Sequence, residues 1–163
     1  LLAGIRADER ELVEDLLRAY GVRLPGDLSN ARKYSMACPA MPTCGLAIAE
    51  AERVLPGVVD RLEEELAALG LGSEVLSVRM TGCPNGCARP YVADLGFVGR
   101  SLDRYTVFVG GRAAGTRLNT EYRDLVPLEA LFVIPLQDGG QYRLRVVYGE
   151  FTSLEEAAAR ILR

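Results

Sequence analysis

The chain has 163 residues, of which 49% are hydrophobic and 25% are charged. This composition is typical of one ordinary globular domain, and the length is sufficient to bury one core. The net charge is −3 and the basic residues are scattered, so the sequence predicts neither nucleic acid nor a membrane as a partner. No apolar stretch approaches the roughly 18 residues of a spanning helix, and no signal-like segment opens the chain. We therefore expect a cytoplasmic protein.

The first predicted element is an amphipathic helix over residues 8–20. Its apolar side chains recur at helical spacing, and Gly21 supplies a stop. Residues 22–30 lack helical periodicity and contain proline and glycine, which predicts a loop. A short strand is expected next, at about residues 33–37.

A longer helical pattern follows Cys44 and ends at Gly70 and Gly72. Pro56 is expected to kink or divide it. One side of the pattern is apolar and carries Leu55, Val58, Val59, Leu62, Leu66 and Leu69. Residues 75–80 then alternate between two unlike faces, which is typical of a strand.

The later part of the chain predicts mainly strands. Two are expected at residues 94–98 and 105–109, and a hairpin at residues 131–136 and 141–148, on either side of a turn at residues 138–140. A final helix is expected from Ser153. The predicted fold class is α+β: a mixed sheet flanked by helices, with cysteine-bearing turns at strand ends and a C-terminal hairpin plus helix.

The chain contains four cysteines, which form two pairs. Five residues separate Cys38 from Cys44, and three separate Cys83 from Cys87. Each pair lies in a turn rich in proline and glycine directly after a strand-like run, so the two turns can meet where strands end. Thiols stay reduced in the cytoplasm, which favours metal or redox chemistry over disulfides. Histidine is absent, so imidazole is excluded as a ligand or base.

The spacing favours an iron–sulfur cluster over zinc. Turns that surround a four-iron cluster must be wide, and five intervening residues suit that requirement. Structural zinc sites more often show two to four residues between paired cysteines, which fits the second pair only. Unrelated buried cysteines are the third reading. In the second turn, Asn85 and Gly86 also provide the backbone freedom to direct N–H groups toward sulfur.

Two motifs make the chain resemble a known family. SMACPAMPTCGLAIAEAER occupies residues 35–53, and MTGCPNGCARPY occupies residues 80–91. Together with glycine-rich segments at residues 96–99, 110–111 and 115–119, they closely resemble the C-terminal half of assimilatory sulfite reductase hemoproteins. The related siroheme nitrite reductases share the cysteine spacing, but their first turn reads differently. The resemblance covers about residues 1–128.

The resemblance implies a ligand set and two cofactors. In that family four cysteines bind a four-iron, four-sulfur (4Fe-4S) cluster, and the last cysteine also ligates the iron of siroheme. Applied to the matching positions of this chain, the resemblance implies that the metal ligands are Cys38, Cys44, Cys83 and Cys87. Cys87 is the bridge between the two centres, and hence the predicted catalytic residue.

Four further residues are implied as cofactor-binding by their places in the motifs. Thr43 and Thr81 lie close to the cysteines that follow them, and Asn85 lies inside the second turn. Ordinary turn roles are an equally good reading for these three residues. Arg89 lies two residues past Cys87, where its guanidinium could bind a siroheme carboxylate or form a surface ion pair.

The implied activity is the six-electron reduction of sulfite to sulfide. The expected electron donor is ferredoxin or an NADPH-dependent flavoprotein. Complete members of the family are several times longer, so a missing N-terminal half is an expected partner, and this chain alone is expected to bind cofactors better than it catalyses. Residues 129–163 are expected to form an atypical tail. The alternatives are a fragment of a siroheme nitrite reductase and a non-enzymatic metal-binding module built on the four cysteines.

Overall fold

The computed structural model describes residues 2–127, 131–138 and 141–148. This part of the chain forms three α-helices, namely α1 (Arg10–Ala19), α2 (Asn30–Lys33) and α3 (Leu55–Ala68). Its strands are β1 (Met36–Ala37), β2 (Val78–Thr81), β3 (Leu95–Ser101), β4 (Arg104–Val109), β5 (Thr120–Pro127), β6 (Leu131–Asp138) and β7 (Gln141–Tyr148). Short 3₁₀ turns cover Ala7–Glu9, Pro25–Asp27 and Pro90–Val92.

Five strands form one mixed sheet in the order β1-β2-β3-β4-β5. β1, β2 and β3 run parallel, whereas β4 is antiparallel to both of its neighbours. Parallel neighbours need a crossover connection, and α3 lies in the one that joins β1 to β2. The predicted α+β class is confirmed, and the carboxyl ends of β1 and β2 share one edge of the sheet.

The core lies between α3 and one face of the sheet. The predicted apolar stripe of α3 is buried, with Leu66 at 2% and Val59 at 1% exposure. It packs with strand side chains of the same face, which are Val78, Met80, Leu95, Phe97, Tyr105 and Val107. Burying one side chain of this size contributes about 1.5–3 kcal/mol. This packing holds β2, and the turn that follows it, against the body of the protein.

The helix predicted directly after Cys44 is wrong over residues 45–54. The backbone N–H groups of Ile48 and Ala49 both donate to the carbonyl of Gly82, at 2.8 and 3.0 Å. This segment is therefore bonded to the end of β2 and not to itself. Pro56 does not divide a longer helix, because it lies in the first turn of α3, where its missing N–H has no intrahelical partner to lose.

The strand predicted at residues 33–37 is also shorter than expected. Only Met36–Ala37 pairs in the sheet, because α2 occupies Asn30–Lys33. Ser29 caps this helix, since its Oγ accepts the backbone N–H of Arg32 at 3.0 Å. The Arg32 guanidinium then pairs with Glu63 of α3 at 2.6 Å. This ion pair joins α2 to α3.

The strands of the second half agree with the sequence except at β5. β3 and β4 confirm the two predicted strands, and β6 pairs with β7 as the predicted hairpin, with Asp138 opposite Gln141. β5 was not predicted, because its side chains are nearly all exposed and only Val126 is buried. The helix predicted from Ser153 lies outside the described residues.

The first predicted helix is confirmed as α1, which ends before Gly21 with φ +71°. Its apolar stripe is exposed, with Leu12 at 73%, Leu16 at 57% and Tyr20 at 81%. None of the helices in the described ranges is long and apolar enough to cross a bilayer.

Candidate functional site

The first cysteine turn continues directly from β1. The backbone N–H of Cys38 donates to Met80 O at 3.1 Å, so the pairing with β2 extends to the cysteine itself. Ala40 is fully buried and has a left-handed backbone with φ +49°. Its carbonyl accepts the N–H of Cys44 at 2.7 Å, and this bond closes the turn between the two cysteines.

The second cysteine turn begins on the neighbouring strand, directly after β2. The N–H of Gly82 donates to Cys38 Sγ at 3.3 Å, so the residue before Cys83 contacts the first turn. A Cβ at position 82 would lie 2.4 Å from Ala49 O and 2.7 Å from Ala40 Cβ. Only glycine fits this position, and the two turns lie side by side at one edge of the sheet.

The four thiols differ in exposure. All four are free; Cys83 is buried, Cys38 and Cys44 are half-buried, and Cys87 is exposed. Among the residues that the structure describes, no three Cys, His, Asp or Glu side chains are grouped to hold a single metal ion. The thiolates of a four-iron cluster bind different iron atoms, so they need not meet at one point.

The four residues predicted to touch a cofactor have different surroundings. Thr43 and Asn85 are exposed inside the two turns, and Arg89 is exposed with a left-handed backbone at φ +55°. Thr81 is buried, and its hydroxyl donates to Phe97 O at 3.4 Å. Three of the four therefore offer polar atoms beside the cysteines, whereas the Thr81 hydroxyl faces the neighbouring strand.

Arg79 is a residue of this site that the sequence analysis missed. Its Nη1 donates to Ala88 O at 3.3 Å and to Met36 Sδ at 3.2 Å, and its Nε is buried without a hydrogen-bond partner among the described residues. Burial, and then the charge of Arg89, lower the pKa of Arg79. The sequence does contain a signal for Arg79, because this charged residue lies between the apolar residues Val78 and Met80 in a predicted strand. Arg79 and Arg89 thus place positive charge next to the second turn.

Tyr91 and Asn119 were also missed as residues that support the second turn. The Tyr91 hydroxyl donates to Pro84 O at 3.0 Å, and the Asn119 amide donates to Pro90 O at 2.6 Å. Both residues lie within the motifs quoted above, but Asn119 contacts a segment 29 residues away, and the Tyr91 contact depends on how the second turn folds back over seven residues. Sequence spacing alone therefore offers no signal for them.

Comparisons with known proteins identify relatives of one kind. No protein-family model matches the chain. The sulfite reductase (NADPH) hemoprotein beta-component of Acidithiobacillus ferrooxidans is 52% identical over 131 residues, which cover 80% of this chain and 23% of that protein. The protein of the same name from Methylobacterium nodulans is 41% identical, and the match covers 94% of this chain and 27% of that protein. That of Staphylococcus haemolyticus is 37% identical over 99% of this chain.

A solved structure also matches this chain in fold. The structure of the Mycobacterium tuberculosis NirA protein matches with a TM-score of 0.60 at 26% identity, over 73% of this chain and 23% of that chain. The chain spans about a quarter of the length of the curated relatives that it matches. The chain therefore belongs to the sulfite/nitrite reductase hemoproteins and corresponds to one part of such a protein.

Proposed function

We propose that this chain is the part of a sulfite reductase hemoprotein that binds a 4Fe-4S cluster and siroheme. One observation carries the proposal. The N–H of Gly82 lies 3.3 Å from Cys38 Sγ, which sets the turn of Cys38 and Cys44 against the turn of Cys83 and Cys87. The two segments that carry the four cysteines therefore lie together at one edge of one sheet.

The residues at this edge fit the chemistry of such a cofactor. The donor set is all sulfur, since the chain has four cysteines and no histidine. A backbone N–H that points at a thiolate sulfur stabilises its negative charge. Arg79 and Arg89 add positive charge beside the second turn, where an anionic cofactor would be favoured.

The four cysteines have two roles in this proposal. Cys38, Cys44, Cys83 and Cys87 would ligate the cluster. Cys87 is the exposed thiol of the set, so its sulfur is also free to face the siroheme iron, and we assign it the catalytic position. When bound, the cluster and siroheme would pass electrons from the external donor to sulfite, for its six-electron reduction to sulfide. The chain supplies ligation, burial and orientation.

The polar residues around the turns would orient the siroheme. Arg89 has an exposed guanidinium two residues past Cys87, which suits a carboxylate of the tetrapyrrole. Asn85 and Thr43 are exposed inside their turns and suit hydrogen bonds to its periphery. A contact from Thr81 stays a prediction, and it requires the hydroxyl to leave Phe97 O.

The substrate, the electron donor and the location are proposed from the similarity to these relatives. We propose sulfite as the substrate and a cytoplasmic location. The relatives carry NADPH in their printed names, which favours an NADPH-dependent flavoprotein over ferredoxin as the electron donor. The remaining three quarters of such proteins would complete the substrate site. Within the chain, we assign the cofactor role to residues 1–128 and treat residues 129–163 as a separate tail.

Anaerobic reconstitution tests the proposal. The reduced chain is loaded with iron and sulfide, and the iron content, the absorption spectrum and the EPR spectrum of the dithionite-reduced sample are measured. We expect about four irons per chain and a 4Fe-4S signal. Cys44→Ser should lose the cluster, whereas Leu46→Ser should keep it, because Leu46 is 69% exposed in the same segment.

The outcomes separate the alternatives. A chain that binds one zinc ion and never forms a four-iron cluster contradicts the proposal and favours a non-enzymatic metal-binding module. A chain that forms the cluster is then titrated with siroheme, and a coupled haem spectrum that Cys87→Ser abolishes supports the bridge. Turnover of sulfite and nitrite by the full-length protein separates a sulfite reductase from a nitrite reductase.

A further inference from the structure

The second cysteine turn has a side-chain brace, and Tyr91 provides it. The phenol hydroxyl donates to Pro84 O at 3.0 Å, across seven residues of chain. Pro84 directly follows Cys83, so this bond fixes the first peptide of the turn. The ordinary turn bond is weak by comparison, because Gly86 N lies 3.5 Å from Cys83 O.

The ring of Tyr91 supports the other half of the turn. A Cβ at Gly86 would lie 2.9 Å from Tyr91 Cε2, so the turn backbone rests directly on the ring. Gly86 also has φ +69°, which glycine adopts without strain. Phe108 in β4 packs against the same ring in a T-shaped arrangement, at a centroid distance of 5.2 Å and an angle of 84°. Tyr91 is thus clamped between the sheet and the cysteine turn.

The backbone of Tyr91 is itself anchored. Its carbonyl accepts the N–H of Asn119 at 2.9 Å, and the Asn119 side chain donates to Pro90 O and to Ala93 O. A Cβ at Gly96 would lie 2.3 Å from Pro90 O, so the 3₁₀ turn lies directly on β3. The brace therefore connects the cysteine turn to β3 and to Asn119, directly before β5.

The phenol keeps its proton in this place. Burial, and then the charge of Cys83, raise the pKa of Tyr91. A protonated phenol is a hydrogen-bond donor, as the contact with the Pro84 carbonyl requires. The donor is therefore available throughout the neutral pH range.

We propose that Tyr91 is a positioning residue for the second cysteine turn, and that its hydroxyl and ring hold Cys83 buried while Cys87 stays exposed. The placement of the two thiols follows from contacts within the chain. Only its use, to present the thiols to a cofactor, rests on the proposed function. The thiols and the cofactor are therefore tested separately.

The thiols are tested first, in the full chain without cofactor. The reduced chain is treated with iodoacetamide, and the alkylation rate of each cysteine is followed by peptide mass spectrometry. Loss of one hydrogen bond in Tyr91→Phe should speed the alkylation of Cys83 by about two- to tenfold. Tyr91→Leu, which also removes the ring, should speed it further. Cys38 and Cys44 should react at the parent rates.

Tyr34→Phe is the matched control. Tyr34 is 48% exposed and lies four residues before Cys38, and its hydroxyl makes no hydrogen bond to the residues that the structure describes. All four cysteines should react in this variant as in the parent. Unchanged Cys83 rates in both Tyr91 variants overturn the inference, and so does an equal acceleration of all four thiols, which indicates general loosening.

The cofactor is tested second. After anaerobic loading with iron and sulfide, Tyr91→Phe should change the EPR line shape of the reduced cluster and speed the loss of iron to a chelator, while Tyr34→Phe matches the parent. If the parent never forms a cluster but Cys83 protection depends on Tyr91, the positioning role stands and the proposed function fails. If the cluster forms and neither readout depends on Tyr91, the inference fails and the function stands.

Discussion

The two cysteine turns lie side by side, but they are held in different ways. The first turn, residues 38–44, is held mainly by backbone hydrogen bonds, from Cys38 N to Met80 O and from Cys44 N to Ala40 O, with one exposed side-chain bond from Arg53 to Met41 O at 2.9 Å. In the second turn, residues 83–87, the internal bond from Gly86 N to Cys83 O is long, at 3.5 Å, and Gly86 O accepts the N–H of Arg89 at 2.7 Å. The Tyr91 side chain holds the start of this turn at Pro84 O. The first pair of thiols is thus positioned mainly by main-chain bonds, whereas the second depends more on a side chain.

This difference predicts which substitutions each turn tolerates. Backbone bonds survive most side-chain changes, so the first turn should fail only where added atoms collide with it. The second turn should instead respond to single side-chain deletions at its brace. Three substitutions test this contrast, in order of expected effect.

Gly82→Ala should have the largest effect, because it breaks the contact shared by both turns. The added Cβ would lie 2.4 Å from Ala49 O and 2.7 Å from Ala40 Cβ. We expect a loss of about 3 kcal/mol in the free energy of unfolding, measured by urea denaturation. Gly45→Ala is the control, because a Cβ there meets nothing within 4 Å. Equal stability of the two variants would contradict the inference that close packing at Gly82 holds the two turns together.

Asn119→Ala should have an intermediate effect, confined to the second turn. It removes two side-chain hydrogen bonds, to Pro90 O and to Ala93 O, and this loss costs about 2 kcal/mol although both carbonyls keep a backbone donor. Iodoacetamide should react faster with Cys83, while Cys38 keeps its rate. Asn30→Ala is the matched variant, because the Asn30 side chain donates to Ser73 O at an exposed position away from both turns. If Cys38 and Cys83 respond alike, the two turns are not held independently.

Tyr105→Phe should have the smallest effect, on the segment that follows the first turn. The Tyr105 hydroxyl donates to Glu50 O at 2.9 Å, and its loss should cost about 1 kcal/mol at neutral pH. Because backbone bonds hold the first turn, Cys38 and Cys44 should keep their alkylation rates in this variant.

The same variant has a defined pH dependence. Burial, followed by the charges of Asp103 and Glu50, raises the pKa of Tyr105 from 10.0 to about 12. The folded state therefore holds this proton more tightly than the unfolded chain. Its contribution to stability is complete below pH about 10 and is lost as the pH rises to about 12. Urea denaturation should show that the free energy of unfolding falls less steeply between these pH values in Tyr105→Phe than in Tyr34→Phe. An equal fall in the two variants would contradict the raised pKa of Tyr105.

The elements with a local signal could be predicted from the sequence. The stripe of α3 is visible because Leu62 and Leu66 recur at helical spacing, and β3 and β4 are visible as short apolar runs between turns. Both cysteine pairs directly follow strands, as expected from their places after apolar runs. A parallel pair of strands then brings the two turns to one edge.

The remaining features depend on partners distant in sequence. Residues 45–54 look helical by composition, but Ile48 and Ala49 bond to Gly82 instead. β5 has almost no buried side chains and exists through its pairing with β4. The anchoring of Tyr91 by Phe108 and Asn119, and the buried Nε of Arg79, likewise arise from tertiary contacts. The ligand roles and the division at residue 128 stay predictions.

The crossover through α3 has a further thermodynamic consequence. Cys44 precedes this connection and Cys83 follows it, so a cluster bound by both would close a long loop with an inorganic cross-link. Such a closure restricts the denatured ensemble, in the way that a disulfide does. Iron release would then loosen the fold as well as empty the site, and the holo and apo forms would differ in melting temperature.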